Sequence, residues 1–221
     1  MAVVVSATPD DPGFAPIVEV AVPSASVLTG YRPPEVLRWR EVRPLEPAAG
    51  QIRLRVRAAG VGPTDLAIRR GNLQEVFPLP ADAVLGFEAA GIVDAVGDGV
   101  DRVAVGDEVA AWLPGLGGYD EHALASTWTI KPPGVSLVDA AALPASVEAA
   151  VGVLGQLGVR LSAPTPDRAP RAVDDGMALL AAGTLRMKLR REPPLQDAAE
   201  AHRLLESGVT HHKLVLVART G

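Results

Sequence analysis

Two periods of hydrophobic spacing divide this chain. In "QIRLRVRAAGVG", Ile52, Leu54 and Val56 alternate with Arg53, Arg55 and Arg57. Period two predicts a half-buried strand with a solvated basic face. "AAGIVDAVG" and "GDEVAAWL" predict two more strands bounded by glycine, and "YDEHALAS" and "WTIKPP" a further strand pair. Residues 17–136 therefore read as a β-rich, partly closed barrel with loops. Gly86 and Gly91 are expected where backbones pass closely, and Asp98-Gly99 and Gly106-Asp107 as tight turns.

From "SLVDAAALPASVEAAVGVLGQLGV" onward the spacing becomes helical. Ser136 is the expected N-cap, Pro144 a break and Gly158 the end. Ser162–Ala172 is loop by composition. "DDGMALLAAGTL" then reads as a short helix and "RMKLRRE" as a strand. "LQDAAEAHRLLESG" is a helix with apolar Leu195, Ala198, Ala199, Leu204 and Leu205, and "HKLVLVA" a final buried strand. The chain shows no internal repeat.

At 221 residues and 48% hydrophobic, the chain has material for a substantial core. Its net charge of −5, with no basic block, does not indicate a nucleic-acid partner. Without cysteine there are no disulfides, thiolate nucleophiles or Cys-based zinc sites. "MAVVVSATPDDPG" lacks a basic n-region, and no long run of uninterrupted apolar residues occurs. Neither a signal peptide nor a membrane span is expected, and a cytoplasmic location is.

Several side chains carry possible chemistry. Glu88, among the apolar neighbours of "LGFEAAGIV", needs a partner if buried, or its pKa rises. A paired structural carboxylate is weighed there against a catalytic acid. In "AAWLPGLGGYDEHA", Trp112, Leu113 and Leu116 are expected to line an apolar pocket beneath a Gly-rich loop. Asp120 and His122, two apart in an extended segment, project to one face. Such a pair would raise the imidazole pKa and act as acid and base, against the simpler reading of a solvated charge pair. Tyr31, Tyr119 and Trp128 are polar-tipped aromatics able to donate to a substrate carbonyl. His211 and His212 point to opposite faces of an extended chain, so no shared metal site is expected.

The ordered series "PPEVLRWREVRPLEPAAGQIRLRVRAAGVGPTDLAIRRG", "LGFEAAGIVDAVGDGVDRVAVGDEVAAW" and "GGYDEHALASTWTIKPPGVSLVDAAALPAS" resembles the medium-chain dehydrogenase/reductase superfamily, in its zinc-free quinone-oxidoreductase and enoyl-reductase branch. "LLAAGTLRMKLRREPPLQDAAEAHRLLESGVTHHKLVLVA" resembles that family's C-terminal return segment. The resemblance covers about residues 20–159 and 174–218. It implies an α+β, mainly β fold: a GroES-like, partly open barrel with a few peripheral helices. It also implies that Asp65, counted among the substrate-binding candidates with Tyr31, Trp112, Leu113, Leu116 and Trp128, orders its loop, within a frame kept by Pro63, Arg69 and Gly71.

The family's nucleotide-binding (Rossmann) domain, with its Gly-rich turn after a strand, has no counterpart here. "GVLGQLGV" follows a helix, and the connector from Arg160 to Ala172 is too short for a crossover unit of ~30 residues. One domain of residues 1–159 and 174–221 is expected, with 160–173 as linker. Gly62, Ala67, Ala149-Ala150 and His212 stand where the family touches its dinucleotide with other residues, and Phe87 where zinc-binding relatives have a histidine. Neither cofactor nor metal is expected. The resemblance thus implies a cofactor-independent enzyme, a cyclase or isomerase that folds a conjugated, polyketide-like carbonyl compound in an apolar cleft for natural-product biosynthesis. A non-catalytic binding or scaffold remnant, and an NADPH-dependent reductase with its nucleotide domain supplied in trans, are the alternatives. The expected partner is a small apolar substrate, with a homodimer left open.

Overall fold

The computed structural model describes residues 22–157, 168–189, 193–210 and 212–219. Gly158, residues 162–167 of the expected loop, the end of "RMKLRRE" and His211 lie outside them.

Alternating side chains set the long strand at the centre. β3 (Ile52–Val61) follows β1 (Ser24–Leu28) and β2 (Leu37–Glu41), and buries Ile52, Leu54 and Val56 while Arg55 is exposed. After β4 (Ala83–Val84) come β5 (Glu88–Val96), β6 (Glu108–Trp112), β7 (His122–Ala125), β8 (Thr127–Ile130) and, near the C-terminus, β9 (Leu214–Val217). The large sheet runs β7-β3-β5-β6-β8, with β9 also on β3; a smaller sheet runs β2-β1-β4. β7 and β9 share one edge of β3 in succession, at Ile52–Arg55 and at Ala58–Val61.

The "YDEHALAS" and "WTIKPP" strands form, but not as a pair. They lie at opposite ends of the large sheet, although Ser126 alone separates them. A sheet whose two edges are joined by one residue must curl. It does so without a ladder between those edges, so the barrel stays partly open. The smaller sheet is stitched on by main-chain bonds, Ser26 N–H to Tyr119 O at 2.9 Å and Glu121 N–H to Ser24 O at 3.0 Å.

Each face of the large sheet buries its own core. Inside the curl, Ile52, Leu54, Val56, Val93, Leu113 and Tyr119 pack together. Outside it, Ala58, Ala90 and Ala110 form a smooth floor for Ala140–Leu143 and Met177. Small residues there allow helices to lie close to the strands. α2 (Leu137–Ala141) is capped as expected: the Ser136 hydroxyl accepts from Asp139 N–H at 3.0 Å. α3 (Pro144–Gln156) starts with Pro144 at its first turn, so the proline divides two helices. By length and mean hydropathy, 1.6, Leu137–Gln156 would qualify as a membrane-crossing segment. Here it is broken at Pro144, and Ala140–Pro144 are buried in the fold.

Three elements differ from the sequence reading. α4 (Arg168–Ala181) begins before Asp174, inside the stretch read as loop, because its apolar face seats Val173 and Met177 in the core. Residues 186–189 make only an isolated bridge, Leu189 to Lys213, rather than a strand. α1 (Pro63–Arg69), not foreseen, follows β3. The C-terminal helix is α5 (Ala198–Glu206), preceded by a 3-10 turn, Leu195–Asp197, as its apolar spacing predicts.

Candidate active site

The end of β3, the starts of β5 and β9 and the first turns of α1 and α3 meet at one end of the large sheet. Three charged groups converge there, Asp65, Glu88 and Lys213. Asp65, 2% exposed, sits in the first turn of α1. One carboxylate oxygen accepts Gly62 N–H at 2.9 Å and the other Gly86 N–H at 3.1 Å. It therefore caps its helix and ties that helix to the loop before β5, as a loop-ordering role requires. Gly86 has φ +105°, and a Cβ there would lie 2.7 Å from Gly118 Cα, so glycine is needed for this close approach. Burial pushes the Asp65 carboxyl up to about 6, with the two N–H donors and Lys213 opposing the rise.

Glu88 opens β5 and is 1% exposed. One oxygen accepts Ala145 N–H at 2.8 Å, at the positive end of the α3 dipole, and the other pairs with Lys213. The acid is thus fully partnered, which is the structural reading of Glu88 rather than the catalytic one. Gly60 faces it, and a Cβ there would overlap the carboxylate. Lys213 keeps 18% of its side chain exposed, so the pair reaches the surface on the lysine side and not through the acid. Trp112, half-buried, lies directly opposite Glu88 in the β5–β6 ladder, on the same sheet face.

Trp112 does not share a pocket with the two leucines named alongside it. Leu113 is 1% exposed in the inner core, and Leu116 packs against that core with φ +70°. The chain turns after Trp112, sending them to the other side of the sheet. Tyr119 also lies inside, fully buried, its hydroxyl 3.3 Å from Nε2 of His202 on α5. Burial first, and then Asp65 and Glu88, raise its pKa well above the usual phenol value. It is a core residue and not an exposed donor. Trp128 leans on the inner core, and Tyr31, 37% exposed, lies beside Gly71 away from the cluster's strands.

Asp120 and His122 do not form an acid–base pair. The His122 imidazole turns to Asp94, Nε2 to Oδ2 at 3.2 Å, while Asp120 accepts the main-chain N–H of His122 at 2.9 Å. Burial lowers the His122 pKa despite Asp94, opposite to the expected rise. Asp120, 4% exposed at the seam between the sheets, is pushed up to about 7, by burial first. Its folded pKa lies above an unfolded value near 3.8, so its contribution favours folding below that pH and is lost as pH rises toward 7. Asp120→Asn, which keeps the acceptor oxygen, should therefore stabilise the protein by about 1–3 kcal/mol at pH 8 and by far less at pH 4, in urea titrations. An equal effect at both pH values would refute this.

Sequence reasoning missed Lys213 as a site residue, and α1 as the element holding Asp65. The signals were present: a lone lysine immediately before a buried strand, and proline two residues before an acid at a helix start.

Residues 48–134, which supply most of this arrangement, match the alcohol dehydrogenase GroES-like domain family. A quinone oxidoreductase of Pseudomonas aeruginosa is 40% identical over 116 residues, 51% of this chain and 34% of that protein. Over these residues the chain is similar to the medium-chain dehydrogenase/reductase superfamily. A second member, a 2-haloacrylate reductase of a Burkholderia species, is 38% identical over 100 residues, 45% of this chain and 30% of its own length. The chain thus spans about a third of the length of these curated superfamily relatives, 34% and 30%. Among solved superfamily folds, the human synaptic vesicle membrane protein VAT-1 homolog-like protein superposes with a TM-score of 0.79 at 17% identity, over 90% of this chain and 99% of that one. The Escherichia coli quinone oxidoreductase complexed with NADPH gives 0.70 at 18% identity, over 88% and 99%. Within the matched GroES-like fold, the described cluster holds Glu88, Lys213 and Asp65 together at the end of the sheet where α3 begins.

Proposed function

We propose that this chain is a cofactor-independent isomerase or cyclase acting on a conjugated carbonyl compound. The observation that carries this reading is the direct packing of α4 on α3 across a connection of residues 157–167 alone. Gly176 of α4 lies against Val147 of α3, and Met177 is buried beside Leu143. A dinucleotide cradle needs a parallel strand, a Gly-rich turn and a helix, in a unit of ~30 residues. The ladders between the described strands are all antiparallel. The described residues flanking this connection offer no such strand, turn and helix, which favours chemistry without hydride transfer.

Proton movement and confinement remain as chemistry. Holding reacting atoms in one conformation supplies up to ~7–11 kcal/mol of a barrier, and a fixed donor on the carbonyl adds electrostatic stabilisation. The printed activities of the relatives, quinone oxidoreductase and 2-haloacrylate reductase, make reduction the competing outcome.

The test is incubation with linear polyketide-like enones, with and without NADPH, read by mass spectrometry. Isomerisation or cyclisation leaves the mass unchanged; reduction adds two hydrogens. NADPH should leave the melting temperature unmoved, whereas a binder at 100 times its Kd gains ~2.7 kcal/mol. Reduced product together with stabilisation by NADPH would overturn the proposal.

A further inference from the structure

We infer that the Lys213 ammonium is the group that binds the substrate's carbonyl oxygen, with the Trp112 ring beside it as a platform for the conjugated carbons. The inference rests on the reading of this end of the sheet as a conjugated-carbonyl site. It follows from the distribution of hydrogen-bonding capacity in the cluster. Both Asp65 oxygens are taken by main-chain N–H groups, and the two Glu88 oxygens by Ala145 N–H and by Lys213. The acids are already committed. The ammonium carries three N–H donors, of which Glu88 takes one. The cluster therefore presents spare donors to a ligand.

Placement supports the same role. Lys213 lies immediately before β9, and its Nζ would be 3.9 Å from a Cβ at Gly62. Gly62 thus places no side chain against the ammonium. The Lys213 side chain is 18% exposed, so the lysine meets the surface where Glu88, at 2%, does not. Glu88 holds the charge in place, and the surrounding low dielectric strengthens a charge-assisted bond to oxygen. Trp112 and Lys213 flank Glu88, one across the ladder and one by ion pair, so both stand next to the same carboxylate.

The test uses the full chain and two probes, 1,4-naphthoquinone and naphthalene, which share ring size and differ in the carbonyls. Binding is followed by quenching of tryptophan fluorescence and by the infrared carbonyl band of the bound quinone. Wild type should bind naphthoquinone about tenfold more tightly than naphthalene, with a red-shifted carbonyl band. The paired variant Lys213→Met with Glu88→Gln, which removes both charges together, should lose that tenfold preference and the band shift while binding naphthalene as before. Lys213→Arg, which retains a cationic donor, should keep the shift. Unchanged quinone affinity and band in the paired variant would overturn the role of Lys213 and leave the carbonyl-site reading standing. Failure of wild type to bind naphthoquinone would overturn both. Should the paired variant not fold, equal binding of the two probes by wild type would overturn the inference alone.

Discussion

Lys213→Met alone should cost about 3–5 kcal/mol of folding stability, and adding Glu88→Gln should return most of it. Glu88 is 1% exposed, and its two oxygens rest on Lys213 and on Ala145 N–H. Removing the lysine leaves a buried carboxylate with a helix N-terminus as its main support. The loss of one partner from a buried pair typically costs this amount, because the remaining charge is uncompensated. Replacing both partners by neutral groups of similar size removes the charge and its penalty together. Glutamine still offers an oxygen to Ala145 N–H. Glu88→Gln alone should cost less, since Lys213 keeps some exposure and can turn its ammonium to water. The four proteins form a double-mutant cycle whose coupling energy is read from urea titrations. Simple additivity of the two single effects would remove the pair as the organising contact of this site.

The strands, the caps and the breaks were legible because they depend on neighbours in sequence. Ile52, Leu54 and Val56 alternate with arginines and do bury; Ser136 caps and Pro144 divides two helices. Pairing partners were not legible by the same means. "YDEHALAS" and "WTIKPP" are adjacent in the chain and yet sit at opposite ends of a curled sheet, since curvature is set by all the strands together. Arg168–Ala172 read as loop because its proline, alanines and charges lack an apolar run, and the helix is fixed instead by Met177 docking on the floor beneath α2 and by burial of Val173.

The site divides along the same line. Asp65 and Glu88 announce themselves as acids amid apolar neighbours, and both are buried. Their partners come from other parts of the chain: Lys213 from β9's approach, Ala145 from a helix turn. No local spacing names them. Asp120 and His122 illustrate the converse. Their spacing of two suggested a shared face, but the pairing of β7 with β3 turns the imidazole toward Asp94, and the seam between sheets takes Asp120 inward. A local rule assigns direction along a strand and leaves open what stands across it.

The second large effect is an acid lability that His202 builds into the clasp of α5 on the barrel. His202 is fully buried, with Nε2 at the Tyr119 hydroxyl and Nδ1 without a hydrogen-bond partner. Burial, and then the nearby Arg69 and Arg70, lower its pKa from 6.5 to about 3. The native state therefore refuses a proton that the unfolded chain accepts throughout that interval. A group with a depressed folded pKa contributes stability that is present above the unfolded value and lost as pH falls toward the folded one. Asp65 and Asp120, with raised pKa values of about 6 and about 7, act in the opposite sense over much of the same range. The wild-type profile alone thus mixes three groups, and the difference from His202→Gln isolates one. Glutamine can still meet the Tyr119 hydroxyl but takes up no proton. Between pH 7.5 and pH 4.5 the stability of wild type should fall relative to His202→Gln by about 2–3 kcal/mol, one such step of 1.36 kcal/mol for each pH unit below 6.5. Urea titrations of both proteins across this range measure it. Parallel stability curves would mean that His202 takes up its proton in the folded state as readily as in the unfolded chain, and that burial against Arg69 does not hold it neutral.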